Sequence, residues 1–263
     1  MTDHDRIRLD LCCAARLLYR NGLSAANAGH ISVSIGGDRM LVNHFGPSFA
    51  TLRPANVVVV DFSGNVVDGK AYVNDTIRLH GIIHRENPRA TVVMHTHPPA
   101  VVTFSTFRRV PEVFDQESCL LVDDVSVIDE NYEGLASDEE RVMPIARALG
   151  AKPIAILPNH GAITTADSIP LATVRMLLLE GMVQRNLSVA QAARATGFQP
   201  VSITLEAARR TKSEIARIPV IAPLWQDFME RLRKTDPDLF EQSAFSPPQR
   251  GEGGRRPDEG SPA

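Results

Sequence analysis

His95-Thr-His97 closes the apolar run Ala90 to Met94, and this junction constrains the chain more than any other feature. On an extended segment, residues two apart share a face, so both imidazoles are offered to one side of a sheet. A β-scaffold presents a pair of nitrogens to one metal ion in this way. Asn159-His160-Gly161, a turn sequence far downstream, supplies a third imidazole that would complete a facial set. Such a set leaves coordination positions open for substrate or water, which marks a catalytic site rather than a closed structural one.

The background to that feature is a globular chain. With 263 residues, 43% of them hydrophobic, 22% charged and a net charge of −3, there is enough apolar material for one large core. The expected organisation is a single domain over residues 1–240, followed by a disordered tail over 241–263 rich in Pro, Gly, Arg and Glu. The charge balance excludes a nucleic-acid footprint. No apolar run reaches the roughly 20 residues of a membrane span, and Met1-Thr-Asp-His-Asp is too polar for a signal peptide, so the expected location is the cytoplasm. Three cysteines, with Cys12 and Cys13 adjacent, match neither a disulfide framework nor a zinc knuckle and are assigned to packing.

Periodicity places the motifs on elements. A helix is expected from Asp5 to Tyr19, stopped by Asn21-Gly22. Two hairpins follow, Ile31–Ile35 with Arg39–Asn43 and Val57–Phe62 with Val66-Val67. Asn74-Asp75 caps a helix that Pro88 prevents from continuing past Asn87. Next come a strand from Thr91 to His97, a helix opening at Pro98-Pro99, a strand near Leu120 to Val127 and a helix from Ser137 to Leu149. Lys152 to Leu157 and Ala162 to Thr165 read as strands on either side of the Asn159-His160-Gly161 turn. A long helix then runs to about Ala195, and weaker helical patterns cover Leu205–Ile215 and Leu224–Arg233.

Of the eight histidines, most of His30, His44, His80, His84, His95, His97 and His160 stand beside turns or at element ends. A single histidine there is ordinarily a hydrogen-bonded core or surface group, the reading given to His44 and His84. His80 and His84 share a helical face and have chelating spacing, but lack the Glu of a zinc-protease helix.

Four segments together carry a resemblance. Gly29-His30-Ile31-Ser32, Leu79-His80-Gly-Ile-Ile-His84-Arg-Glu-Asn-Pro88, Val92-Val-Met-His95-Thr-His97 and Leu157-Pro-Asn159-His160-Gly161 resemble the class II aldolase/adducin family over residues 5–215. The resemblance implies an α/β fold, a three-layer α/β/α sandwich with a central, largely antiparallel sheet. It also implies a homotetramer with the active site at a subunit interface, and a small-molecule substrate. His95, His97 and His160 match the family's ligands to a divalent ion, with Zn2+ expected and Fe2+ or Mn2+ as alternatives. In the family's sugar-phosphate aldolases that ion polarises the substrate carbonyl and stabilises an enediolate. This agrees with the need to stabilise charge on oxygen when a C–C bond next to a carbonyl breaks. Lys70 and Lys152, the nearest lysines, have no nucleophile setting.

The departures from the aldolase pattern select the reaction. Where those aldolases carry Ser-Ser-Glu, this chain has Asn74-Asp75-Thr76, so Thr76 takes the place of a Glu that serves as metal ligand or proton-transfer base, and Gly29-His30 replaces a Gly-Asn loop. Phosphate sites use serine hydroxyls, backbone N–H groups and Lys or Arg, and this one is weakened. Candidate proton-transfer groups are His30, His80, Glu117 and Tyr132, the last matching a tyrosine proton donor of some family aldolases. Glu117 has a surface position as its alternative, and Tyr132 a packing role. Gly29, Asn74, Asp75, Thr76 and Arg78 are candidate substrate contacts, with Asp75 also a natural helix cap and Arg78 suited to a carboxylate or to solvent. The expectation is a metal-dependent lyase that cleaves a non-phosphorylated hydroxy or keto acid, aromatic acids included, by retro-aldol or decarboxylative chemistry. Decarboxylation suits the missing Glu because loss of carbon dioxide needs no base to start it. Two alternatives stay open: an Fe(II)-dependent oxygenase acting on an aromatic 2-keto or 2-hydroxy acid, and a non-catalytic adducin-like binding module.

Overall fold

A computed structural model describes residues 2–24, 27–69, 71–128, 134 and 138–246. The two hairpins form as the turn sequences require: β1 (His30–Gly36) pairs with β2 (Arg39–Asn43), β3 (Val57–Asp61) adds to β2, and β4 (Val66–Asp68) returns along β3. β5 (Val92–Thr96) lies between β1 and β8 (Gly161–Ala166), antiparallel to both. β7 (Ile154–Leu157) is antiparallel to β8, and β6 (Val125–Val127) closes the sheet through its one parallel pairing. The strand order is β4-β3-β2-β1-β5-β8-β7-β6.

Helices cover both faces. α1 (Asp3–Arg20), α3 (Pro99–Ser105), α5 (Ile169–Thr196), α6 (Leu205–Ile215) and α7 (Ile221–Thr235) bury Leu11, Val101, Met176, Ala208 and Leu232 on one side, against Ile31, Val33, Val92 and Met94. α2 (Arg78–Glu86) and α4 (Glu139–Ala151) bury Leu79, Ile83, Val142 and Leu149 on the other, against Val93, Ala155 and Ile163. The result is a three-layer α/β/α arrangement around a mostly antiparallel sheet. Among the described residues no helix is long and apolar enough to cross a membrane. Cys12, Cys13 and Cys119 are buried free thiols.

Two local expectations change. Asn74, not Asp75, is the cap: its side chain accepts the Thr76 N–H, and a short 3-10 turn at Asp75–Ile77 precedes α2 while Asp75 faces solvent. The strand expected from Leu120 shrinks to β6, because the Asp115 carboxylate accepts both the N–H and the hydroxyl of Ser118 and winds Ser118–Leu121 into a 3-10 turn. Past residue 240, Gln242–Phe245 forms another such turn with Ala244 fully buried. Arg16 anchors this end by donating to Asp236 at 2.8 Å and Asp238 at 2.9 Å.

Gly81 sets how closely α2 approaches the sheet. A Cβ there would stand 2.0 Å from the Phe62 carbonyl oxygen and 2.6 Å from its Cα. Gly81→Ala should therefore push α2 outward and cost at least about 1–3 kcal/mol, read as a lower urea midpoint. The imidazole NMR signals of His80 and His84, which ride on α2, should move with it. Unchanged stability would contradict this packing.

Candidate metal centre

β5 delivers His95 on the α2 face of the sheet and His97 one residue beyond its last paired position. The β7–β8 turn delivers His160. That turn places Asn159 in the left-handed region at φ 58°, and its N–H donates to the Ser105 hydroxyl at the end of α3. Ser105 in turn donates to the Val102 carbonyl, so the turn is held from the helix below.

The three rings converge. His95 lies 4.8 Å, centroid to centroid, from both His97 and His160, which are also 4.8 Å apart. One ligand nitrogen from each falls within 4.8 Å of the others. His95 Nδ1 donates to the Ala162 carbonyl at 3.0 Å, which fixes its tautomer and leaves Nε2 as the donor to a metal. That Nε2 is 3.1 Å from His97 Nε2. Two nitrogens each about 2.1 Å from one ion stand roughly 3.0–3.4 Å apart in tetrahedral or octahedral geometry. The His95–His97 pair therefore has the spacing of two ligands to one divalent cation, and a His160 nitrogen lies within 4.8 Å of both as a third.

Burial, followed by the neighbouring imidazoles, holds His95 well below the ordinary histidine range, and burial alone lowers His97. Burial and the His97 ring bring His160 to about 4. All three are thus neutral near physiological pH, the state that ligates metal.

These rings open into a cavity of about 340 Å³ whose other lining residues are Asn27, Ala28, Gly29, His30, Phe45, Asn74, Thr76 and Leu79. The described lining is made of neutral groups: imidazoles, amides, a hydroxyl and apolar side chains. His30 stands opposite His95 in the β1–β5 pairing, and burial with the His97 and His160 rings brings it to about 4. Thr76 contributes a buried hydroxyl without a protein partner.

Gly29, His30, Asn74 and Thr76 thus share the cavity with the three clustered histidines. His80 does not: it is fully buried behind His30. Asp75, just before α2, and Arg78, its first residue, are exposed and do not line the cavity. Glu117 is exposed and lines a different cavity with Arg185 and Phe228, so within the chain it is not brought to the histidines. Tyr132 and Lys70 lie outside the described residues. Lys152 donates to the Val125 carbonyl. His44 is bonded by the Phe45 carbonyl and the Asn56 amide. Ser32 was missed by sequence reasoning: it bridges His80 and His84 at 2.8 Å each, and its place two residues after His30 on β1 was the available signal.

Residues 9–187 match the model of the Class II Aldolase and Adducin N-terminal domain, and the chain belongs to that family. A relative from Streptomyces roseochromogenus subsp. oscitans, named 4-hydroxy-3-prenylphenylpyruvate oxygenase/4-hydroxy-3-prenylbenzoate synthase, is 29% identical over 214 residues, 81% of this chain and 75% of its own. A 3,4-dihydroxyphthalate decarboxylase from Arthrobacter keyseri is 26% identical over 212 residues, 76% of this chain and 85% of its own. Among solved structures, an aldolase II superfamily protein from Pseudomonas syringae superposes with a TM-score of 0.82 at 24% identity, over 92% of this chain and 97% of that one. Relatives named as decarboxylases and as an aldolase support a lyase-type enzyme.

Two outcomes test the centre. A Cβ at Gly161 would stand 2.4 Å from the Thr96 carbonyl oxygen and 2.8 Å from His97 Cδ2. Gly161→Ala should displace the His97 support and weaken metal binding about 10- to 100-fold, read by titration with Zn2+; unaltered affinity would sink the assignment. The second concerns pH. In the metal-free protein, His30, His84 and His160 titrate at about 4 in the folded state against 6.5 for a free histidine, and burial is the leading cause for each. Between those values the unfolded chain binds more protons, so stability is full above pH 6.5 and is lost as the pH falls toward 4. Urea midpoints should fall across that window; a flat profile would refute neutral burial.

Proposed function

We propose that the chain is a divalent-metal-dependent carbon–carbon lyase acting on a non-phosphorylated hydroxy or keto acid, aromatic acids included, with decarboxylation favoured over aldol cleavage. The observation that carries this reading is His30, a neutral base, in the same cavity as the three clustered histidines and among neutral lining groups. The decarboxylases among the relatives favour the same choice.

A divalent ion held by His95, His97 and His160 supplies Lewis-acid stabilisation of negative charge on a substrate oxygen as the C–C bond breaks. Zn2+ is the ion we favour for a site of three imidazoles. His30 takes the proton of a substrate hydroxyl, and after the bond breaks it returns that proton to the carbon left with the electron pair. In decarboxylation carbon dioxide departs, and water supplies the one further proton that neutralises the product. Asn74 and Thr76 line the cavity and are the polar residues we assign to orienting the acid. Phe45 and Leu79 give the ring or side chain an apolar surface. The tetrameric assembly and a second proton donor at Tyr132, both implied by the family resemblance, belong to the same reading.

A second reading, an iron-dependent oxygenase, is favoured by the Streptomyces relative. Anaerobically purified protein, assayed on a panel of 2-keto and hydroxy acids under nitrogen and under air, separates the two. The expected result is stoichiometric metal, turnover independent of oxygen, and a kcat about 10²- to 10⁴-fold lower in His30→Ala with metal retained. Turnover that requires oxygen and iron selects the oxygenase. Protein that binds no metal would leave the adducin-like binding module.

A further inference from the structure

Behind His30, β1 and α2 enclose His80 and His84, and the direction of every hydrogen bond among them is fixed by chemistry. The Ala90 carbonyl can only accept, so His84 Nδ1, 2.7 Å away, carries a proton. Burial pushes His84 down to about 4 and His80 well below the ordinary range, so each ring holds a single proton. His84 Nε2 is then a lone pair, and the Ser32 hydroxyl donates to it at 2.8 Å. With its only proton so used, Ser32 Oγ accepts from His80 Nδ1, also at 2.8 Å. His80 is left with a lone pair on Nε2, an atom that is buried and has no partner.

The adjoining ring is His30, edge-on with centroids 5.7 Å apart, and its Nδ1 is likewise buried without a partner. These are the two unpartnered buried imidazole nitrogens among the described residues, and they lie on neighbouring rings. An unpaired buried polar atom is costly, and a hydrogen bond between these two would satisfy both.

We infer that Ser32 and His84 are positioning residues for His30: through His80 they hold out a fixed acceptor to His30 Nδ1–H, which leaves the His30 Nε2 lone pair for the substrate. This rests on the proposed role of His30 as the proton-transfer group and assigns the residues that give it one orientation and one tautomer. The chain ends on a backbone carbonyl, which neither gains nor loses a proton, so it orients His30 and does not conduct protons away. When His30 takes up a second proton, its bond to His80 becomes charge-assisted and stronger. The proton is thereby kept within reach of the substrate carbon.

Nitrogen-15 NMR of the zinc-loaded, full-length protein reads the tautomers directly. His80 and His84 should both show a pyrrole-type Nδ1 and a pyridine-type Nε2. A proton on His80 Nε2 overturns the inference whatever the substrate proves to be. Ser32→Ala should release His80 into mixed tautomers and lower kcat about 10- to 100-fold, with KM and metal content unchanged. Ser32→Thr, which keeps the hydroxyl, should restore both. If Ser32→Ala does not fold, the wild-type spectrum and His84→Gln, which should also free the His80 tautomer, still decide. Unchanged kcat in Ser32→Ala alongside a large loss in His30→Ala removes the positioning role alone. No loss in His30→Ala removes the catalytic reading as well, so the two failures are told apart.

Discussion

The antiparallel pairing of β1 with β5, with His30 opposite His95, governs the rest of the site. Alternation along both strands sends Ile31, Val33, Val92 and Met94 into the core beneath α1 and α5. It sends His30, Ser32, Val93 and His95 to the opposite face, where α2 covers them. A slip of one residue would exchange the two sets, putting imidazoles into the larger apolar core and Met94 into the cavity. Register is therefore held by the hydrophobic requirement of one face, and the polar chemistry of the other face follows from it. Gly81 adds the second dimension, since the absence of its side chain lets α2 sit close enough for both of its histidines to reach one serine.

Desolvation does two things at once in this arrangement. It lowers every imidazole of the cluster, so the rings are neutral and available as ligands or bases. It also makes any unsatisfied nitrogen costly, which drives the rings into mutual hydrogen bonding with Ser32 and the Ala90 and Ala162 carbonyls. Three neutral ligands would leave the charge of a divalent ion uncompensated. Among neutral lining groups, that charge would be the dominant attraction for an anionic acid and would strengthen with every water the cavity excludes.

Much of this was legible in the residues alone, because hairpin turns, helix periods and the His-Thr-His strand end carry local signals. The hairpins, the helices and the convergence of His95, His97 and His160 depend on patterns within a few residues or on a spacing known to suit a metal. What was not legible depends on the direction in which a side chain leaves a turn. Asp75 and Arg78 follow the Asn74 cap and are exposed, while Thr76 between them lines the cavity. Glu117 stands near Asp115, whose carboxylate winds a 3-10 turn where a strand was expected and leaves Glu117 on another cavity. Composition cannot distinguish these outcomes, since each is decided by which backbone N–H the nearest carboxylate or amide satisfies. Ser32 escaped notice for a different reason: a serine on a strand is chemically unremarkable until two imidazoles from another element arrive at it.

The two departures from the aldolase pattern belong together in space. By the family resemblance Thr76 stands where the aldolases carry a Glu, a metal ligand or proton-transfer base, and His30 where they carry an asparagine; both residues line one cavity. If His30 is the proton-transfer group, as proposed, exchanging the pair moves that group from the start of α2 to β1 and changes it from an anion to a neutral imidazole. An anionic base repels a substrate that brings its own carboxylate and partly neutralises a neighbouring cation; a neutral base does neither. The exchange is suited to an acid substrate for this reason. It also needs a new device to fix the tautomer of the incoming ring, because an imidazole, unlike a carboxylate, presents a donor or an acceptor according to where its proton sits. The Ser32, His80 and His84 array proposed above would meet that need from the buried side of the ring.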